Sequence, residues 1–414
     1  MTLSEELAWR GFANQTTYKD TVALDGDPIT FYWGVDPSSD SMTIGNLAAA
    51  MMVKAFMKHG HKAVLLVGGA TGLIGDPDGK SSERNLKTPE EIVANAGAIA
   101  AQYKRLFDGQ SFDIVNNNDW FHDIGFIDFL RETGKHVPMR QMLGREFIQT
   151  RLGEEGAGIS YAEFSYVLIQ AYDFLRLFED KGVSLQVCGS DQWGNSIAGV
   201  DLIRRKTGGE AHVYSAPLIV NKTTGKKFGK SEEGAIWLDA AKTTPTQFYQ
   251  FWINVDDASV EDYLKIFTEL SKDEIEKVAA EHVGNPGKRR GQTRLAQEVT
   301  TLVHGQEAMG IAEQVTNTIT GRTPVGKADA VLEQLRKEMP HVRTAEQGSI
   351  VEALMASGLA ASNTEARRLI AGHAVSINGQ KVDRLEFQSG DFQNGRLLLR
   401  RGKAFKDSAL VELS

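Results

Sequence analysis

Two short segments hold the residue types that handle a polyphosphate. Thr43-Ile44-Gly45-Asn46 sets two hydrogen-bonding side chains around a glycine at the expected start of a helix. Lys227-Phe228-Gly229-Lys230-Ser231 places two lysines and a hydroxyl in a glycine-containing loop. A helix N-terminus offers free backbone N–H groups and a positive dipole end to an anion. Glycine lets a flat ring approach the backbone, and paired lysines neutralise charge that develops on a departing phosphate. A third set, Tyr166, Gln170 and Asp173, recurs at i, i+4 and i+7 and so shares one helix face. The apolar and aromatic run from Tyr161 to Phe178 around them makes that stripe a pocket wall rather than a solvated face.

The generic nucleotide motifs do not fit. Gly75 to Ser81 and Gly225 to Ser231 each resemble a P-loop with three residues between the glycines where four are required. Ala70 to Gly75 is one residue off a dinucleotide fingerprint, and the position about 20 residues on is Asn95 rather than an acid. A P-loop kinase and a dehydrogenase are both near misses.

The elements that position these residues read as α/β. Ile29 to Trp33 is a short strand ending at Gly34, and turn residues follow from Asp36 to Ser41. A helix is predicted from Ile44 to His59 with Ser41 as its N-cap. Ala63 to Val67 is a continuous apolar run, as expected of a parallel strand covered on both faces, and it feeds the glycine-rich stretch Gly68 to Asp76. This alternation predicts a doubly wound sheet with ligands beyond the C-terminal ends of its strands. Helical text runs from about Asp119 to Asp180, Ser184 to Val187 returns as a strand, and Gly189 to Asn195 follows it. Helical character resumes near Thr244 and continues to about Thr318, Thr320 to Gly326 reads as the start of a linker, and Asn378-Gly379 is a strong hairpin turn.

At 414 residues the chain suggests two or three domains, and 41% hydrophobic with 24% charged residues is ordinary globular composition. No apolar run reaches the roughly 18 residues of a membrane span, and the start, MTLSEELAWRGF, does not read as a signal peptide. A single cysteine, Cys188, excludes an intramolecular disulfide, and nine histidines without ligand spacing give no expectation of a protein-held metal. A cytoplasmic location is expected. The net charge of −8 is uneven: from Thr364 onward 9 basic residues face 6 acidic, while the rest holds 37 against 48. A basic end on an acidic body fits a module that meets nucleic acid.

Taken together, Tyr32 to Ser38, Thr43 to Leu47, the Gly68–Lys80 run and Lys227 to Ser231 resemble the signatures of class I aminoacyl-tRNA synthetases. With Tyr32, Tyr166, Gln170, Asp173 and Gln192 the likeness narrows to bacterial-type tyrosyl-tRNA synthetases, and it covers essentially the whole chain. The resemblance implies a Rossmann-like doubly wound parallel sheet with a helical insertion (residues 1–222), then the lysine loop and connector (223–243). It further implies an α-helical tRNA-binding domain (244–320), a linker (321–348) and a small α+β S4-like RNA-binding domain (349–414). Tyr32 and Asp173 would then bond the substrate phenol, Asp76, Tyr166 and Gln170 its ammonium, with Gln192 near its carboxylate. Gly34, Asp36, Gly45, Asn46, Gly189, Asp191 and Lys230 would bind ATP. Ser38, Thr43, Lys80, Arg84, Lys227, Lys230 and Ser231 would stabilise the phosphates. The implied partners are L-tyrosine, ATP with Mg²⁺ as its counter-ion, tRNA(Tyr) and a second copy of the chain, docked through the region near His136–Ala162. Arg367, Arg368, Lys381 and Arg384 would face the RNA backbone. Two positions depart from the family: Thr43 stands where histidine is usual, and Trp33 where a small residue such as cysteine would meet the ribose. A tryptophanyl enzyme shares the nucleotide half, but Tyr32, Asp173 and the C-terminal unit speak against it. A non-catalytic RNA-binding relative is favoured only by Thr43 and Trp33.

Overall fold

Six strands from the first half of the chain form one sheet. They are β1 (Gln15–Thr16), β2 (Thr30–Val35), β3 (Lys62–Val67), β4 (Phe112–Asn116), β5 (Val183–Gly189) and β6 (His212–Ala216), lying in the order β1-β6-β5-β2-β3-β4. In this computed structural model all residues are described except 78–85, 145, 154–155, 157, 221, 223–227, 229, 232–233, 324, 327 and 403–406. Strands β2 to β6 are parallel and β1 pairs antiparallel with β6 at the edge. Ala63 to Val67 are all buried, as their unbroken apolar run requires. From β2 the chain builds outward through β3 and β4, and then returns to the other side of β2 through β5 and β6. The switch point therefore lies between β2 and β5, with Tyr32 in register with both Val64 and Gln186. A crevice at the C-terminal ends of β2 and β5 follows from that order.

Four helices pack the early strands: α1 (Leu3–Arg10), α2 (Ile44–Lys58), α3 (Thr71–Ile74) and α4 (Pro89–Leu106). The N-cap of α2 is Thr43, not Ser41. Ser41 is buried and engaged elsewhere, donating to Met42 O and accepting from Gln102 Nε2 and the Asp239 amide. Strand β2 also runs past Gly34 to Val35, because Gly34 and Val35 keep pairing with Leu66 and Val67. Trp33 is chiefly a core residue, 4% exposed and packed on Tyr103 and Phe107. Helix α1 is fastened by Glu6, whose buried carboxylate accepts from Arg10 (2.8 Å), His59 (2.8 Å) and Lys58 (3.3 Å). Arg10 in turn donates to the carbonyls of Lys265, Thr268 and Leu270.

The chain divides into two compact units, 1–243 with 255–295, and 244–254 with 296–414. After the sheet, β7 (Lys230–Ser231) and β8 (Gly234–Ala235) form a short antiparallel hairpin in the first unit. The second unit holds a five-stranded sheet made of β9 (His341–Thr344), β10 (Val375–Ile377), β11 (Gln380–Lys381), β12 (Arg396–Arg401) and β13 (Ser408–Leu413). Their order is β11-β10-β12-β13-β9. Period-two alternation divides its side chains between two cores. Leu397, Leu399, Ala409 and Val411 join the helices Ile350–Ala356 and Asn363–Ala371 on one face, while Leu398 and Leu410 join Val315, Ile319, Leu332 and Leu335 on the other. Residues 321–348, expected as a linker, include the helix Asp329–Glu338 and strand β9, which pairs in parallel with β13. Asn378 and Gly379, with φ of 47° and 85°, make the two-residue turn between β10 and β11 that their sequence predicts.

Candidate active site

The crevice at the switch point is a cleft of about 570 Å³. Its walls include Tyr32, Gly34, Asp36, Ser38, Thr43, Gly45, Asn46, Asp76, Tyr166, Gln170, Asp173, Gly189, Asp191 and Gln192. Residues expected from five separated segments thus come together. Lys80, Arg84 and Lys227 lie outside the described residues, and of Lys230 and Ser231 only the backbone, as β7, is described.

Of the described residues around the lysine loop, Phe228 and Ala235 line the cleft. Phe228 lies against Tyr263 and Phe267, with ring centroids 4.3 and 5.7 Å away. Beyond β8, Ile236 O accepts from the Ile44 amide at 3.1 Å and the Leu238 amide donates to Met42 O at 2.9 Å. The chain leaving the loop is thereby tied to the first turn of α2, where the orphan N–H groups of that helix begin.

The closed end of the cleft is a hydrogen-bonded chain. Tyr166 Oη donates to Asp36 Oδ2 (2.8 Å), and Thr71 Oγ1 donates to Asp36 Oδ1 (2.6 Å). Asn117 Nδ2 donates to Thr71 Oγ1 and to Asp173 Oδ2, both at 3.0 Å, while its Oδ1 accepts from the Ala70 amide. Trp120 Nε1 completes the chain by donating to Asp173 Oδ1 at 2.9 Å. Glycine permits the crowding: a Cβ on Gly68 would lie 2.1 Å from Asp36 Oδ1, and one on Gly69 2.2 Å from Asn116 Oδ1. On the opposite wall Gln192 Nε2 donates to Asp76 Oδ2 at 2.5 Å and Gln192 Oε1 accepts from Asn195.

Electrostatically this end favours neutral forms. Burial pushes the Asp173 carboxyl up to about 8, against the two N–H groups from Asn117 and Trp120, and the nearby Asp36 adds to the rise. Burial likewise holds the Tyr32 and Tyr166 phenols well above their ordinary value, with Asp173 and Asp36 respectively as the leading charges. Of the residues that line the cleft, three carry a buried polar atom with no hydrogen-bond partner among the described residues: Tyr32 Oη, Gln170 Oε1 and Gln186 Oε1. Buried polar groups are rarely left unpaired, so these mark where a ligand's own donors and acceptors belong.

Among the described residues a Cβ on Gly45 would meet only Thr43 Oγ1, at 3.5 Å, and Gly45 lines the cleft. Gly189 differs, because a Cβ would come 2.5 Å from Asp191 Oδ1.

Known proteins share this arrangement. Residues 24–321 match the family of class I tRNA synthetases (W and Y), and residues 331–406 match the C-terminal domain of the tyrosine–tRNA ligase SYY-like type. A tyrosine–tRNA ligase of Bacillus caldotenax is 45% identical over 92% of both chains, and tyrosine–tRNA ligase 2 of Bacillus cereus is 44% identical over the full length of both. The chain belongs to the tyrosine–tRNA ligases. Among solved structures, a C-terminally truncated mitochondrial tyrosyl-tRNA synthetase of Aspergillus nidulans superposes with a TM-score of 0.69 at 29% identity, covering 76% of this chain and 93% of that one. The enzyme of Archaeoglobus fulgidus, at 14% identity and a TM-score of 0.56, shares the fold.

The cleft is lined by Thr71 and Gln186 and backed by Asn117 and Trp120, which bond to its lining, and the sequence singles out none of the four. Asn117 and Trp120 lie just past β4, whose polar ending Asn116-Asn117-Asn118 is the one sequence signal that marks them. In the second unit, Arg384 is turned inward on Asp391 in two hydrogen bonds (2.8 and 2.5 Å) and on Glu386 O, whereas Arg367, Arg368 and Lys381 are exposed.

Proposed function

We propose that the cleft activates L-tyrosine with ATP, giving tyrosyl-adenylate and pyrophosphate, and then transfers tyrosine to the 3′ end of tRNA(Tyr). The observation that carries this reading is the trio of unpaired buried atoms, Tyr32 Oη, Gln170 Oε1 and Gln186 Oε1, in a cleft that also contains the buried Asp173. A phenol and an ammonium supply the donors that such a set lacks. Tyr32 and Asp173 take the phenol, while Gln170, Asp76 and Tyr166 line the course of the amino-acid backbone, with Gln192 beside its carboxylate.

The attacking carboxylate is already a nucleophile, so positioning and charge stabilisation supply the catalysis. Gly34, Gly45, Asn46, Gly189 and Asp191 line the nucleotide end. Ser38 with Lys80, Arg84, Lys227, Lys230 and Ser231 would stabilise the departing pyrophosphate. Mg²⁺ accompanies the ATP phosphates as a counter-ion. The ribose hydroxyl of the tRNA end then attacks the adenylate carbonyl. Tyrosine-dependent exchange of pyrophosphate into ATP is the direct test, and a folded protein without such exchange would overturn the reading.

The working form is proposed to be a cytoplasmic homodimer. Phe126, Ile127, Met139, Leu152 and Tyr161 expose large apolar side chains on the helices Phe126–Glu132, Met139–Leu143, Glu146–Leu152 and Tyr161–Lys181. Light scattering is expected to give twice the chain mass, reduced toward a monomer by Ile127→Asp; a wild-type monomer would refute it.

A further inference from the structure

Thr43 and Asn46 lie three residues apart at the first turn of α2, on the nucleotide side of the cleft. Asn46 Oδ1 accepts from the Thr43 amide at 2.9 Å and from Thr43 Oγ1 at 3.1 Å. A backbone N–H can only donate, so the atom facing it must be the amide oxygen; this sets the flip of Asn46 without reference to any ligand. With both lone pairs of that oxygen taken, the two N–H bonds of Nδ2 remain. Among the described residues none accepts from them. The single hydroxyl proton of Thr43 is directed at Asn46, and is not available to a nucleotide oxygen at the same time.

We propose that Thr43 is a positioning residue, holding Asn46 so that its amino group donates to an oxygen of the bound ATP. The proposal rests on the ATP-dependent reading given above. Two features of the surroundings suit it. Gly45, between the two residues, lines the cleft and carries no side chain to keep a ligand from this turn. The turn itself is braced by Ile236 O on the Ile44 amide and by the Leu238 amide on Met42 O, which leaves the side-chain pair as the adjustable element.

The test is a double-mutant cycle in tyrosine-dependent pyrophosphate exchange, with kcat/KM for ATP and KM for tyrosine measured separately. Thr43→Val is expected to lower kcat/KM for ATP roughly tenfold, the worth of one neutral hydrogen bond, while KM for tyrosine holds and Thr43→Ser restores the rate. In an Asn46→Ala background the same Thr43→Val change is expected to cost nothing further. An equal loss in both backgrounds would mean that the Thr43 hydroxyl meets the nucleotide itself, and no loss in either would mean that it positions nothing; each overturns the proposal. Thr43→Ala replaces valine in the cycle if the valine variant does not fold, as judged by thermal melting. Absence of exchange in the wild-type protein would instead sink the underlying ATP reading.

Discussion

Asp173 is buried among N–H donors, and burial still pushes its carboxyl up to about 8. A substrate phenol donating to it adds a third hydrogen bond to the charged form, which lowers that value. Binding must then release a proton, and by linkage tyrosine binds more tightly as pH rises toward 8. KM for tyrosine in pyrophosphate exchange is expected to fall roughly tenfold or more between pH 6 and 8. Inhibition by phenylalanine, which has no hydroxyl, is expected to stay flat over the same range. Equal profiles for the two amino acids would remove Asp173 from phenol recognition. The stripe that led to Asp173 was legible because i, i+4, i+7 spacing is local. Asn117 and Trp120, which hold its carboxylate, were not, since they reach it from 56 and 53 residues away in sequence. Nothing in their own neighbourhood encodes that contact beyond a polar end to a strand.

Among the elements, α1 buries Leu3 and Leu7 and is fastened by charge as well, through Glu6. Burial alone would raise the Glu6 carboxyl, but hydrogen bonds from His59 and Arg10, with the charges of Arg10 and Lys58, hold it at about 2 against an ordinary 4.5. A depressed folded value means the stabilisation is complete above about 4.5 and is lost as pH falls toward 2. Its upper limit is about 3 kcal/mol. Urea unfolding of the wild type and Glu6→Gln should therefore differ most at neutral pH and converge between pH 4.5 and 2; a gap that persists at pH 2 would show that the carboxylate charge is not what fastens α1. The buried β3 and the start of α2 were readable from apolar runs and turn chemistry. Ser41 misled as a cap because serine is a good N-cap by type, while its hydroxyl here is already held by Gln102 and Met42. The helix and strand within 321–348 were hidden by the Gly and Pro residues that open the segment, although β9 is held by pairing with β13 some 70 residues later.

Over the whole chain the charge is divided by position, with net +3 from Thr364 onward and net −11 before it. An acidic body disfavours a polyanion, so the basic stretch from Thr364 onward is where affinity for RNA is expected. Not every arginine there is free to supply it. Arg384 is bidentate on Asp391, an arrangement that shapes the turn after β11, whereas Arg367 and Arg368 extend from the exposed side of the helix Asn363–Ala371. Replacing Arg367 and Arg368 together by glutamate is expected to lower kcat/KM for tRNA in aminoacylation at least tenfold. It should also reduce the salt dependence of tRNA binding by about one unit of slope for each phosphate that the helix no longer neutralises. Tyrosine-dependent pyrophosphate exchange, which involves no RNA, is expected to be unchanged in the same variant. Arg384→Ala should act differently, lowering the melting temperature because Asp391 is left without its guanidinium. If Arg384→Ala impaired tRNA charging at full stability while the double glutamate variant charged normally, the RNA-facing surface would lie on the β10–β11 side of this unit and not on the helix.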